Sequence, residues 1–214
     1  MKRIILAVVI ICLLFTSVSY AQWGQPDYYL GLELGFFVPS KNDYTVLGEK
    51  YKYKTGREFG LKYTYYYNEN IGVIGRLSSI SWDTKNTDWW YQVGNNYDGP
   101  YASGFTWSTI SLAVGAAYRY QVYDDLDLIA HAGLSSQFNS VKYQEEGIPD
   151  ETSKGTSFGY FIDGGIRFYV SEDFTIGWIY RYTAHSQDLK YYSHKVRNIQ
   201  LGGLSVLLEA GMVF

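Results

Sequence analysis

The stretch Arg197-Asn198-Ile199-Gln200-Leu201-Gly202-Gly203-Leu204-Ser205-Val206-Leu207-Leu208-Glu209-Ala210-Gly211-Met212-Val213-Phe214 decides the fold. Counted back from Phe214, every second residue is apolar or small: Met212, Ala210, Leu208, Val206, Leu204 and Gly202. The alternate set carries Glu209, Ser205, Gly203 and Gly211, with Leu201, Leu207 and Val213 among them. A period of two is the signature of a β-strand. This strand is long and ends on an aromatic residue. A closed barrel needs such a strand to pair with the first one, so that no unpaired edge is left in the membrane.

The same alternation recurs seven times upstream. It predicts strands at residues 27–38, 56–67, 71–82, 104–120, 126–141, 157–170, 174–185 and, last, 197–214. Short turns are expected near Asn68, Asp124 and Glu172, where turn-forming residues cluster. The other connections, 41–55, 83–103, 142–156 and 186–196, are longer and are expected to be loops. Alternating short and long connections are the pattern of an outer-membrane barrel, whose short turns face the periplasm. The expected fold is therefore all-β: an eight-stranded antiparallel up-and-down transmembrane β-barrel. An even strand count puts both termini in the periplasm.

The N-terminal end gives an address. Met1-Lys2-Arg3 is followed by an apolar run from Ile4 to Phe15 and by Ser19-Tyr20-Ala21. A basic start, a short apolar run and small residues two apart describe a cleavable secretory signal over residues 1–21, leaving 22–214 as one barrel domain. The run is too short to span a bilayer, which takes about 20 residues. The single cysteine, Cys12, lies inside that signal, so the mature chain would have no disulfide, thiolate metal site or cysteine nucleophile. Loss of Lys2 and Arg3 leaves a formal charge of −5, against −3 for the full chain. That balance, without a basic stripe, gives no reason to expect a nucleic-acid partner. The 23 Tyr, 11 Phe and 6 Trp are an excess of rings suited to the membrane–water boundary.

Charge fixes the register. Glu33, Glu58, Lys62, Arg76, Arg119, Asp127, Asp163, Arg167, Arg181 and Glu209 all fall on the face opposite the apolar set. A cation facing lipid at mid-membrane costs about 2–4 kcal/mol, and a one-residue slip would put each strand's charge there. These ten residues are therefore assigned to the lumen. Eight strands enclose little more than their own side chains, so the charges must pair. The expectation is a neutralised ion-pair network that fills the barrel, with inward glycines making room. Glu209 would reach Arg119 or Arg167. Arg57 alone falls on the apolar face, at the loop end of its strand, where it could reach lipid headgroups. Tyr63, Tyr65, Tyr118, Tyr120, Phe168, Phe174 and Phe214 would form a girdle near the short turns, and Tyr182 and Phe36 one towards the loops. Trp82 and Trp107 point inward by strict alternation and would line the outer mouth.

The leader, the run Trp178-Ile179-Tyr180-Arg181-Tyr182-Thr183, and a last strand with Leu201-Gly202-Gly203-Leu204 ending in Phe214 together resemble the small bacterial outer-membrane β-barrel proteins, of the OmpA transmembrane domain, OmpX and opacity-protein type. The resemblance covers the whole mature chain. It implies the outer membrane of a Gram-negative-type bacterium. It also implies contact with outer-membrane lipid and lipopolysaccharide, and insertion by the outer-membrane assembly machinery, with Phe214 as the assembly signal. Met212 stands where a further aromatic is common. No periplasmic peptidoglycan-binding domain is expected.

Candidate chemistry is sparse. His185-Ser186 suggests a lipid A deacylase, which uses a His and a Ser two residues apart. Here they are adjacent, so alternation sends them to opposite faces, and a base must reach its nucleophile. Ser193-His194 has the same defect. His131, between Asp127 and Ser135, would be a pH-sensitive member of the charge network or a hydrogen-bonded filler. Glu145, Glu146, Asp150 and Glu151 lack calcium-ligand spacing. Lys41, Lys50, Lys52 and Lys54, with tyrosines interleaved, could meet lipopolysaccharide phosphates. No cofactor or metal is expected. The reading that follows is a monomeric structural or surface-interaction barrel that meets an extracellular ligand through its four loops. The alternatives are a lipid A-modifying enzyme, a narrow small-solute channel, and a soluble lipocalin-like barrel.

Overall fold

The computed structural model describes residues 27–40, 43–46, 49–86, 91–93, 96–98, 103–145, 148–191 and 194–214. The leader over residues 1–21, Lys41, Trp89-Trp90, Gly99-Pro100, Glu146 and Ser193 lie outside them.

Eight strands close into one antiparallel barrel: β1 (Asp27–Pro39), β2 (Gly56–Tyr66), β3 (Ile71–Asn86), β4 (Ser103–Tyr123), β5 (Leu126–Glu145), β6 (Ile148–Tyr169), β7 (Phe174–Tyr191) and β8 (Gly203–Val213). Each strand pairs with its sequence neighbours, and β8 pairs with β1 from Tyr29 opposite Val213 to Pro39 opposite Gly203. Closure leaves no edge within the barrel, as a spanning sheet requires. At the seam Tyr28 N–H donates to Phe214 O at 3.2 Å, and Phe214 N–H donates back to Tyr28 O at 2.9 Å. Val213 N–H donates to Asp173 O at 2.9 Å on the other side.

The short turns follow from local chemistry. The Asn68 side-chain oxygen accepts from the backbone N–H of Asn70 (2.9 Å) and Ile71 (2.8 Å), an Asx turn. Ser171 Oγ accepts from Phe174 N–H at 3.2 Å. Two residues, Asp124 and Asp125, connect β4 to β5.

The alternation read from the sequence is the burial pattern of the strands. On β8 Leu204, Leu208 and Met212 are exposed, as is Phe214 just past its end, while Ser205, Leu207 and Glu209 are buried. The exposed apolar residues run round the barrel, through Leu32, Leu34, Leu61, Leu77, Val114, Leu134, Ile162 and Ile176. In water such a belt would be an aggregation surface; in lipid it is the spanning face. No helix among the described residues is long and apolar enough to cross a membrane.

Sheet structure extends beyond the predicted strand ends. The segments 142–156 and 186–196 are not loops throughout: β5 runs to Glu145, β6 starts at Ile148 and β7 runs to Tyr191. The segment His194–Gln200 pairs with β7. Within 41–55, Asp43–Val46 pairs with Glu49–Tyr53, and the latter reaches β3 at Lys52 opposite Lys85. Within 83–103, β3 continues to Asn86 and a small hairpin joins Tyr91–Val93 to Asn96–Asp98. The final stretch is correspondingly two strands, with Leu201 and Gly202 between them.

Candidate functional site

The lumen holds the charges that the outer face excludes. Glu33, Glu58, Lys62, Arg76, Asp127, Asp163, Arg167, Arg181 and Glu209 are all buried. Arg181 of β7 is at the centre of one group. Its Nη1 donates to Glu58 Oε1 and its Nη2 to Glu33 Oε2, each at 2.5 Å, and its Nε lies 3.4 Å from Asp163 Oδ2. Arg76 donates from Nη2 to Asp163 Oδ2 at 2.7 Å and places Nε 3.2 Å from Glu33 Oε2. His131 Nδ1 contacts Asp163. Ser205 Oγ donates to Glu58.

Glu209 of β8 holds a second group. It accepts from Lys62, from Arg167 Nη2 at 3.2 Å and from Tyr29 OH at 2.6 Å. The Arg167 guanidinium lies over the Tyr29 ring at 3.6 Å. Lys62 Nζ is 3.8 Å from Glu33 Oε1, which joins the two groups. The joined cluster sets Glu33, Glu58, Asp163 and Glu209 against Lys62, Arg76, Arg167 and Arg181. Its formal charge is zero, which is what burial of so many ions demands. Gly60 of β2 leaves the needed space, since a Cβ there would come within 2.8 Å of Glu33 Oε2.

Asp127 and Arg119 are placed nearer the short turns. Asp127 accepts from Tyr169 OH at 2.7 Å. Arg119 is partly exposed, donates from Nε to Glu69 O at 2.7 Å, and lies 4.3 Å from the Tyr66 ring centroid.

Towards the long connections the lumen turns polar and uncharged. Ser135 Oγ lies 2.8 Å from His185 Nε2, and Ser157 Oγ lies 3.5 Å from His185 Nδ1. Asn139 Nδ2 donates to Gln187 Oε1 at 2.6 Å and to Ser157 Oγ at 3.2 Å, while Thr109 Oγ1 donates to Asn139 Oδ1 at 2.6 Å. Alternation assigns Ser135, Gln137 and His185 to the inward face but does not join them. The available signal was a run of inward uncharged polar residues on three adjacent strands. Ser186 is exposed on the opposite face from buried His185, so the adjacent pair is not brought together. Partners on adjacent strands, Trp82 and Trp107 stack with ring centroids 5.5 Å apart and planes 4° apart, and Phe37 packs on Trp82 at 5.1 Å.

On the outer face Arg57 is exposed, opposite Phe36 on one side and Ser81 on the other. Tyr65, expected in the inner girdle, is covered by the rings of Tyr28 (5.2 Å) and Tyr67 (5.1 Å). No group of three or more His, Cys, Asp or Glu among the described residues could hold a metal ion. Of the basic-loop lysines, Lys54 is exposed.

Comparison with known proteins returns the same architecture. The model of the outer membrane protein β-barrel domain family matches residues 7–202. No curated protein matches the chain. Among solved structures, the outer membrane protein OprG from Pseudomonas aeruginosa aligns at 10% identity with a TM-score of 0.59, over 90% of this chain and 97% of that one. A major outer membrane protein from Thermus thermophilus aligns at 12% identity with a TM-score of 0.54, over 89% and 100%. Ail of Yersinia pestis, in complex with the heparin analogue sucrose octasulfate, aligns at 17% identity with a TM-score of 0.48, over 90% and 100%.

Proposed function

The chain belongs to the outer-membrane protein β-barrel family, and from that premise we propose that it is a closed-lumen barrel, with a structural or surface-interaction role, whose working surface is the sheet that extends past the apolar belt. The observation that carries this reading is the filled interior. A neutral cluster of eight ionised side chains crosses the barrel, and the rings of Phe37, Trp82 and Trp107 pack inside it towards the long connections. An eight-stranded barrel has room for its own side chains and little else. A solute path would require breaking buried ion pairs, each loss leaving an uncompensated charge.

The protein is not an enzyme on this reading. The pair that first suggested lipid A deacylation is divided between the two faces of β7, and buried His185 meets two serine hydroxyls but no carboxylate among the described residues. The leader over residues 1–21 is cleaved on export, the mature barrel is monomeric, and Phe214 is the residue read by the assembly machinery. The termini lie in the periplasm, and the long connections meet the outside and any extracellular ligand.

Planar-bilayer recording from purified protein tests the closed lumen. Silent membranes after verified insertion are the expected result. Steady, reproducible unitary conductance would overturn the reading in favour of a channel.

A further inference from the structure

On the outer face of the barrel, Arg57 is a charged residue beside the apolar belt. Along the row of cross-strand neighbours that starts at Phe36, the outward residues are Arg57, Ser81, Ser108, Ser140 and Lys154. The next row, nearer the short turns, is Leu34, Phe59, Ser79, Ile110, Phe138 and Thr156. The row after that opens with Leu32, Leu61, Leu77 and Leu112. Such rows run square to tilted strands and so climb around the barrel: followed the other way from Phe36, the same row passes Val206, Tyr180 and Gly164, which is ten residues along β6 from Lys154. Arg57 and Ser81, beside Phe36, are its polar members nearest the apolar belt. The edge of that belt is where headgroups meet acyl chains.

Beside Arg57 the row adjoins a groove. An open cavity of about 550 Å³ lies in the outer surface, walled by Leu34, Phe36, Phe59 and Leu208, with Arg57, Ser79 and Ser81 as its outward polar residues; Glu58 also lines it, but its carboxylate turns into the lumen to Arg181. Arg57 is exposed and forms no ion pair among the described residues. An arginine that faces lipid without a carboxylate partner needs an anion from the membrane itself. Its planar fork of donors suits a phosphate, and the two serine hydroxyls add donors on the same side. The apolar walls below suit an acyl chain.

We propose that Arg57, Ser79 and Ser81 form a binding site for the phosphate of an acylated, phosphorylated glycolipid of the outer leaflet, with one of its chains in the groove below. The choice of outer-leaflet lipid rests on the reading that the long connections face outside. Phosphate recognition by itself does not depend on that orientation.

The test uses the full-length mature barrel in nanodiscs or mild detergent. Native mass spectrometry counts retained lipid after exposure to a phosphorylated glycolipid, its dephosphorylated form, or phosphatidylglycerol. The wild type is expected to retain the phosphorylated glycolipid in preference to both others. R57Q is expected to weaken retention about tenfold or more, and R57K by less, because lysine keeps the charge and loses the fork. K154Q removes an outward cation further towards the long connections and away from the groove, and is expected to bind as the wild type does. Heat-modifiable migration verifies that each variant is folded. Undiminished retention by R57Q, an equal loss in K154Q, or no preference for the phosphorylated glycolipid would each overturn the site. Surface labelling decides orientation separately, so failure of the one is distinguishable from failure of the other.

Discussion

At the residue scale, Arg181 is the least replaceable charge in the lumen. It holds Glu33 and Glu58 directly and approaches Asp163. Arg181→Met would leave three buried carboxylates with too few partners, a loss of about 3–5 kcal/mol if the site stays dry. Asp127→Asn removes one charge near the short turns and leaves an acceptor for Tyr169 OH, so a cost of about 1 kcal/mol is expected. Urea unfolding of the two variants in lipid vesicles measures the contrast, and equal costs would show that water fills the centre. The sidedness of these charges was legible in the sequence, because a period of two assigns each one to a face. Their partners were not. Arg181 lies on β7 and Glu58 on β2, and such contacts run across the lumen. They depend on strand tilt and stagger, which no single strand's pattern encodes. Glu209 is a partial case: Arg167 was within the expected reach, while Lys62 and the Tyr29 hydroxyl were not foreseen.

At the element scale, β8 closes the barrel along its whole length, and Phe214 extends the seam just past its end. Phe214 exchanges two backbone hydrogen bonds with Tyr28, and its ring is exposed at the end of the apolar face. Deleting Phe214 removes both bonds and the ring, so a loss of about 1–3 kcal/mol and slower conversion to the compact, heat-modifiable form are expected. A gel-shift time course during refolding measures it, and an unchanged rate and yield would make the terminal ring dispensable. The strands within the belt were legible because one face must be apolar and the other must not. The extensions at Glu145, Ile148 and Tyr191 and over residues 194–196 were not legible for the complementary reason. A sheet with water on both sides has no need to alternate, and 142–156 reads Lys-Tyr-Gln-Glu-Glu-Gly-Ile-Pro-Asp-Glu-Thr-Ser-Lys-Gly-Thr without a consistent apolar face. Backbone pairing there is carried by hydrogen bonds along the ladder, which side-chain pattern does not report.

At the scale of the whole molecule, the two ends of the barrel are built differently, and that difference orients it. One end is closed by Asx and serine turns of a few residues at Asn68, Asp124 and Ser171, with both chain ends of the barrel beside them. The other end carries sheet well past the apolar belt, with Arg57 and Ser81 at its base. Long strands that leave the belt on one side only must pass into one aqueous compartment, and the short-turn end must face the other. The expected arrangement puts the extensions outside the cell. An epitope inserted between Glu145 and Ile148 should then be labelled on intact cells, and one at Asp124-Asp125 only after the outer membrane is permeabilised. Both insertions lie in connections, so the ladder hydrogen bonds on either side survive. Labelling of the Asp124-Asp125 epitope on intact cells would invert the barrel and move Arg57 to the inner leaflet. The phosphate it meets would then belong to a phospholipid of that leaflet.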